Sequence, residues 1–231
     1  NYLIARIAQP AFVNVFLGRL NSFVAENQLG SGAFVGETAV WASQVAVRLL
    51  RKRYNLPTRQ IAASLRDGRQ VANLAGVDVI TMPPNVAKEF LELDMDPDDL
   101  QDMTAETFDL GVAKHCIKDV NLGALWDIDD RVITCADALE TEPLEDYTPE
   151  RLQEFFREHG CGDILPPWSD QQIATSAEEG KIPSLENWKE KLESGKVGLD
   201  SLMSLAGWNS FRFDQEAMDH RVETTLASLR Q

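Results

Sequence analysis

The chain has 231 residues, of which 44% are hydrophobic and 26% are charged, and its formal net charge is −15. This composition is typical of a globular protein with one large domain or two small ones. The negative charge argues against nucleic acid and against an anionic membrane as partners, since both are negatively charged themselves. No apolar run has the length that a membrane-spanning helix needs.

The cysteines indicate a reducing compartment. The chain has three cysteines, Cys116, Cys135 and Cys161. An odd number without a CxxC pair is not typical of a disulfide framework. The amino-terminal stretch is interrupted by Arg6 and Pro10 and is therefore a poor signal peptide. We expect a cytoplasmic protein. Because the first residue is Asn rather than Met, we also expect the chain to be trimmed or incomplete.

The first 93 residues alternate between strand and helix patterns. Apolar strands without interruption, each followed by a helix, indicate an α/β fold with a parallel sheet. The predicted elements in chain order are a helix over 3–9 that Pro10 stops, a strand over 11–16, a loop with some helical character over 18–32, a helix over 36–55 with Thr38 as a cap, a strand over 58–64, a helix over 67–76 with Gly76 at its carboxyl end, a strand over 77–82 and a helix that opens at Pro83-Pro84.

From about residue 94 the sequence becomes acidic and mostly helical. "MDPDDLQDM" (95–103) and "YTPERLQEFF" (147–156) both resemble helix starts with proline in the first turn. "RVITCA" (131–136) is ambiguous, and its β-branched residues also fit a strand. Residues 184–193 and 214–229 have the apolar spacing of amphipathic helices.

Polar side chains follow two of the predicted strands. Asn14 and Arg19 stand at the end of the first strand, and Ser64 and Arg66 at the end of the second. In parallel α/β sheets the carboxyl ends of strands line the ligand site, and arginine presents a planar fork of donors that suits phosphate. The pattern favours a phosphate pocket. The alternative is that both arginines pair with the abundant surface carboxylates.

These stretches resemble the second half of a class I transaldolase. Residues 14–19, "NVFLGR", are similar to the family pattern S-P-F-V-G-R near the sixth strand, and residues 63–66, "ASLR", match A-S-F-R. Residues 75–78, "AGVD", followed by "VITM", match the turn and strand that come eighth. Residues 211–222, "FRFDQEAMDHRV", are similar to the closing helix of the family.

The resemblance implies the carboxyl-terminal part of a TIM (β/α)8 barrel of transaldolase type. Residues 1–93 would be barrel units six to eight, residues 94–183 an acidic helical insertion, and residues 184–231 helices that pack on the barrel. Three units cannot close a barrel, so missing residues, the insertion or another chain must complete it.

The function that the resemblance implies is transfer of a three-carbon ketol unit between sugar phosphates, in the pentose phosphate pathway. Arg19, Ser64 and Arg66 would bind the substrate phosphate, with Asn14 where the family has Ser, and Phe16 would lie against the substrate. No metal or cofactor is expected. The alternative is a non-catalytic protein that keeps the scaffold for binding sugar phosphate or for interaction with a partner.

The family's chemistry needs a lysine that forms a Schiff base, and this chain has no match to the strand that carries it. Lys114 and Lys118, which flank His115-Cys116, are the nearest substitutes, but lysines with this spacing usually face solvent. The acidic run 94–99 lacks the glycine of a calcium loop, and His159 with Cys161 lacks a second ligand pair, so neither predicts a metal site.

Overall fold

A small parallel sheet holds the first part of the chain together in the computed structural model, which describes residues 1–229. Its strands are β1 (Phe12–Phe16), β2 (Arg59–Ala63) and β3 (Val79–Ile80), and they lie side by side in that order. Phe16 stands opposite Ala63, so the first two strands end at the same level. The sheet confirms the predicted α/β class and the parallel pairing. The third strand is shorter than the predicted range 77–82.

Helices return the chain between the strands and form nearly all of the second half. A π-helical turn, Ile4–Ala8, precedes β1 and stands where a helix over 3–9 was predicted. The helices are α1 (Leu17–Glu26) and α2 (Val35–Tyr54) between β1 and β2, α3 (Gly68–Asn73) between β2 and β3, and then α4 (Pro84–Glu92), α5 (Lys114–Asp119), α6 (Asp130–Leu139), α7 (Pro149–Glu158), α8 (Asp170–Glu179), α9 (Leu185–Glu193) and α10 (Leu199–Leu229). Within residues 1–229, none of these helices is both long and apolar enough to cross a bilayer.

The two faces of β1 have different surroundings. Successive side chains of a strand point to opposite faces, and Val13 is buried against Val47 and Leu50 of α2. On the other face Phe12 is 50% exposed and Asn14 is exposed. The sheet is therefore covered by helices on one side and is largely open at the amino-terminal end of β1 on the other.

The carboxyl-terminal helices pack back on the first helix. Phe23 and Val24 of α1 share a buried cluster with Trp188 of α9 and with Leu199 and Leu202 of α10. A separate cluster joins α6 and α7 through Cys135, Phe155 and Cys161. The first cluster connects the carboxyl-terminal helices to the helix that follows β1, and the second packs against Leu3 and Ile7 before β1. From residue 211 onward, the described part of α10 is exposed.

The prediction of a loop with some helical character over 18–32 underestimates the helix in its first half, where α1 is a full helix. Its apolar residues Leu17, Leu20, Phe23 and Val24 recur at helical spacing and are all buried. Gly18, Asn21 and Ser22 interrupt the apolar signal in the sequence. Tertiary packing on α9 and α10 outweighs their low helix propensity.

Two further expectations are corrected. The strand considered at 131–136 is part of α6, because the Asp129 side chain accepts a hydrogen bond of 3.1 Å from the backbone N–H of Val132 and caps a helix there. The helix start predicted at 95–103 is only a 3₁₀ turn, Pro97–Asp99. That acidic stretch has no apolar face to bury, so a longer helix gains nothing from packing.

Two other predicted helix starts are confirmed, and two predicted caps are wrong. Pro84 stands in the first turn of α4, and Pro149 follows the capping residue Thr148 of α7. Gly76 has φ +96° and makes the turn before β3, although α3 already ends at Asn73. The helix predicted at 36–55 is α2, but it begins at Val35, so Thr38 lies inside the helix and does not cap it.

Candidate functional site

The loop after β2 meets the start of α1 at Gly18. β1 ends at Phe16 and leads directly into α1, and β2 ends beside it at Ala63. No side chain caps the first turn of α1, whose residues Leu17 to Leu20 are buried. This edge of the sheet is where a parallel α/β fold holds its ligand.

Ser64 and Arg66 both lie against Gly18. Nη2 of Arg66 donates a hydrogen bond of 3.0 Å to the carbonyl oxygen of Gly18. A Cβ added to Gly18 would stand 2.9 Å from both Ser64 Oγ and Arg66 Nε. Ser64 has φ +69°, a left-handed conformation that is unusual for a serine and that turns the chain sharply after β2. The absence of a side chain at position 18 is what lets the second loop reach the start of α1.

A buried hydrogen-bond network fixes the backbone of Arg66. The backbone N–H of Arg66 donates to Gln70 Oε1 at 2.7 Å, and Gln70 Nε2 donates to Glu37 Oε1 at 2.7 Å. Asn21 Nδ2 donates to the other oxygen of Glu37 at 3.0 Å. These contacts join α1, α2 and α3 at the level of the strand ends. Asp67 caps α3 by accepting from the backbone N–H of Gln70 at 3.0 Å.

Arg19 is a buried cation. It is 8% exposed, and its Cζ lies 4.8 Å from the centre of the Phe16 ring and 5.0 Å from that of Phe211 on α10. Burial lowers the pKa of the Arg19 guanidinium, while the charge of Asp214 acts in the opposite direction. A guanidinium that remains charged in such a site is costly unless an anion or a π face compensates it.

Neither Arg19 nor Arg66 forms an ion pair with a carboxylate in the described part of the chain, whereas seven other arginines do. In residues 1–229 the side chain of Arg66 has one hydrogen-bond partner, the Gly18 carbonyl, and that of Arg19 has none. Most of the donors of both guanidinium groups therefore remain free for a ligand. The alternative predicted above, in which both arginines pair with surface carboxylates, is therefore absent from the described residues.

Asn14 and Phe16 lie on the same face of β1, two residues apart. Phe16 contacts Arg19 as described, and its ring centre lies 5.6 Å from that of Phe211. Asn14 is exposed and pairs in register with Ile61, which is two positions before the end of β2. Within residues 1–229 its side chain has no hydrogen bond to the other predicted site residues. The structure therefore groups Phe16 with Arg19, and Ser64 with Arg66, on either side of Gly18.

A cavity of about 710 Å³ lies beside this region, between α1, α2, α3 and α4. Two arginines border it, but so do four carboxylates: Arg66 and Arg69 stand against Glu37, Asp67, Glu89 and Glu92. Four carboxyl groups around one space disfavour an anionic ligand. The free donors of Arg19 and the start of α1 are better suited to phosphate than this cavity is.

No lysine of the chain is buried. All eight lie within the described residues, where Lys191 is half-buried and the rest are exposed, including Lys114 and Lys118 on α5. A lysine that forms a Schiff base is normally desolvated, because burial lowers its pKa and makes the amine nucleophilic. These residues lack that environment.

The buried cysteines are also poor nucleophiles. Burial raises the pKa of the Cys161 thiol to about 12, and it raises the pKa of Cys135 as well. Thiols with such pKa values stay protonated at neutral pH. Both belong to the packed cluster of α6 and α7 and not to the site at the strand ends.

Sequence reasoning missed Gly18, Gln70 and Phe211 as parts of this site. Gly18 left a visible signal, since a glycine between Leu17 and Arg19 invites a close backbone approach. Gln70 acts on partners that are distant in the sequence, and no local pattern marks those contacts. Phe211 opens the stretch 211–222 that resembles the closing helix of the family, but that resemblance does not identify Arg19 as its partner.

The sequence of this chain is similar to proteins of one known family. Residues 1–122 match the family model described as transaldolase/fructose-6-phosphate aldolase. Over 142 residues the chain is 28% identical to a transaldolase of Chlamydia caviae and 27% identical to one of Chlamydia felis. Each alignment covers 62% of this chain and 41% of the relative, so the chain spans less than half the length of these relatives. No solved structure matches it significantly. The matched region contains the whole sheet and the residues around Gly18, and the chain belongs to the transaldolase/fructose-6-phosphate aldolase family.

Proposed function

We propose that this chain is part of a transaldolase-type enzyme that transfers a three-carbon ketol unit between sugar phosphates. The observation that carries the proposal is the pair Arg19 and Arg66, which stand at the ends of adjacent parallel strands without carboxylate partners in residues 1–229. Family membership supports the same chemistry. A local basic pocket is what an acidic protein needs in order to bind an anionic substrate.

In this proposal the substrate phosphate lies at the first turn of α1. The guanidinium groups of Arg19 and Arg66 supply charged donors, and the Ser64 hydroxyl supplies a neutral one. The backbone N–H groups of α1 complete the set, since a helix start favours negative charge. Phe16 contacts the carbon chain of the sugar, and Asn14, two residues earlier on β1, faces the same side of the sheet.

We also propose that further βα units complete a (β/α)8 barrel around this site. β1 and β3 each leave an edge without a neighbouring strand in the described residues, and Phe12 and Asn14 are exposed on one face of the sheet. Open edges and exposed apolar faces favour pairing with additional strands. Those strands would come from the same polypeptide or from a second chain. Residues 94–183 would then be an insertion and residues 184–231 helices that pack on the barrel.

The Schiff-base lysine would lie on one of those further strands, because none of this chain's lysines has a buried environment. Its amine would add to the ketose carbonyl with loss of water, and the resulting iminium would accept the electron pair of the cleaved carbon–carbon bond. This chain's role is to hold the phosphate so that the reacting carbons are correctly oriented. The setting would be sugar-phosphate metabolism in the cytoplasm.

Borohydride trapping on the native full-length protein tests the enzymatic part. The protein is incubated with fructose 6-phosphate, reduced with borohydride and analysed by mass spectrometry. We expect a covalent adduct on a lysine, and we expect Arg66→Ala to reduce its rate of formation at limiting substrate. The matched control is Arg69→Ala, since Arg69 is an exposed arginine in the first turn of α3, three residues after Arg66, with no ion pair in the described chain.

The scaffold alternative predicts a different result. A non-catalytic protein would bind fructose 6-phosphate more tightly than fructose but would give no adduct. An adduct would exclude that alternative, whereas equal affinity for the phosphorylated and unphosphorylated sugar would contradict the phosphate site under both readings.

A further inference from the structure

The guanidinium of Arg19 contacts two aromatic rings from different parts of the chain. Phe16 belongs to the strand that precedes Arg19, whereas Phe211 belongs to α10, almost two hundred residues later. The two rings are themselves in contact, with their planes tilted by 49° and their centres 5.6 Å apart. A cation over aromatic faces gains electrostatic energy and loses rotamer freedom.

α10 is shaped to approach Arg19. Gly207 is buried one turn before Phe211, and a Cβ added there would stand 2.8 Å from Nη1 of Arg19. Any larger residue at position 207 would displace the guanidinium. Asp214, one turn after Phe211, influences Arg19 through its charge, but its carboxylate forms its ion pair with Lys181 at 4.0 Å. The helix thus offers a ring and an open space to Arg19, while its Asp214 carboxylate pairs with a lysine.

Phe211 is 48% exposed, so burial of its own surface does not explain this placement well. It is also beyond residue 122, where the match to the family model ends. Its neighbour Phe213 is 71% exposed and has no aromatic or cationic partner in the described residues. Of these two phenylalanines, only Phe211 contacts a residue of the candidate site.

We infer that Phe211 is a positioning residue for the phosphate-binding arginine Arg19. Its ring and that of Phe16 hold the guanidinium so that its free N–H donors face the anion. The inference rests on the proposed function, because it assigns Phe211 a role in the same site. It also makes α10 part of substrate recognition, although this helix lies beyond residues 1–122, which match the family model.

The test compares Phe211→Leu, Phe211→Tyr, Phe213→Leu and Arg19→Met in the full-length protein. Calorimetry measures the affinity for fructose 6-phosphate, inorganic phosphate and fructose. We expect Phe211→Leu to weaken the binding of fructose 6-phosphate and of inorganic phosphate by about fivefold, because one cation–π contact is lost. The affinity for fructose should not change. Tyr at position 211 restores the affinity, because it keeps the aromatic face. Phe213→Leu leaves all three affinities unchanged.

The controls separate this inference from the proposed function. If the wild-type protein binds phosphate no better than Arg19→Met does, the phosphate site itself is wrong. If Arg19→Met loses affinity while Phe211→Leu matches the wild type, only the role of Phe211 is overturned. Equal losses in the Leu and Tyr variants would overturn it too, because they would indicate packing and not the ring face.

Gly207→Ala tests the same inference without changing Phe211, so its result stands even if the variants at position 211 fail to fold. The added methyl displaces Arg19 Nη1, so the phosphorylated probes should again bind more weakly while the ring of Phe211 remains. If Gly207→Ala bound fructose 6-phosphate and inorganic phosphate as tightly as the wild type, α10 would not hold the Arg19 guanidinium in place.

Discussion

Arg66 and Gly18 are joined by a hydrogen bond of 3.0 Å from the guanidinium Nη2 to the carbonyl oxygen, which ties the loop after β2 to the start of α1. These two residues are 48 positions apart in the sequence. Their contact sets the distance between the start of α1, which carries Arg19, and the loop that carries Ser64 and Arg66. The contact is possible because position 18 has no side chain. It makes Gly18 the most sensitive position of the site.

Gly18→Ala should destabilise the protein by about 2 kcal/mol and abolish tight phosphate binding. The new Cβ would stand 2.2 Å from the Ser64 carbonyl oxygen, which is backbone and has no room to move without shifting β2. Urea unfolding and phosphate titration measure the two effects. Gly162→Ala is the control, since its nearest neighbour would be 3.4 Å away and its stability should change little. Wild-type stability in Gly18→Ala would contradict the close approach of the loops.

Gln70→Leu should weaken phosphate binding several-fold and lower the free energy of unfolding by about 1 to 3 kcal/mol. The buried Gln70 links the backbone N–H of Arg66 to Glu37, and leucine leaves both without this partner. The same titration and unfolding experiments apply. Gln171→Leu serves as the control, because Gln171 is exposed and has no hydrogen bond in residues 1–229. If the two glutamine variants behaved alike, the network would not position Arg66.

Asp78→Asn should destabilise the protein at neutral pH by about 2 kcal/mol. Both terminal nitrogens of Arg51 and Nε2 of Gln44 donate to the Asp78 carboxylate at 3.0 Å, and the backbone N–H of Gln60 donates at 3.1 Å. Burial acts to raise the pKa of Asp78, but the hydrogen bonds from Gln60, Arg51 and Gln44 and the charge of Arg51 outweigh it, so the pKa is lowered.

The sign of the pH dependence follows from that direction. A native pKa below the unfolded value of about 4 means that ionisation of Asp78 stabilises the folded state. This contribution is complete at neutral pH and is lost as the pH falls through the native pKa. The difference between wild type and Asp78→Asn should therefore shrink toward pH 3 in urea unfolding. Asp98→Asn, at an exposed position, should show no such change. A difference that stays constant with pH would contradict the role of the charge.

Local patterns were sufficient to predict several elements of this fold. The apolar runs over 11–16 and 58–64 and the prolines at the starts of α4 and α7 are signals within a few residues, and the structure confirms each element. The same patterns predicted that Arg19 and Arg66 follow neighbouring parallel strands, because the strand–helix–strand rhythm leaves few other arrangements. Family resemblance was visible in the same stretches, and the family match confirms it.

Contacts between distant segments decided the rest. α1 is a helix because Leu20, Phe23 and Val24 bury against α9 and α10, and the sequence around them gives only a weak helix signal. The strand considered at 131–136 became α6, because Cys135 and Leu139 pack on α7 at helical spacing. Likewise, the rings around Arg19 and the hydrogen bond from Arg66 to Gly18 join residues far apart in the chain. Helix and strand propensities depend on residues that are adjacent in the sequence. The partners of a buried guanidinium come from distant segments, because only folding brings those segments together and removes the charge from water.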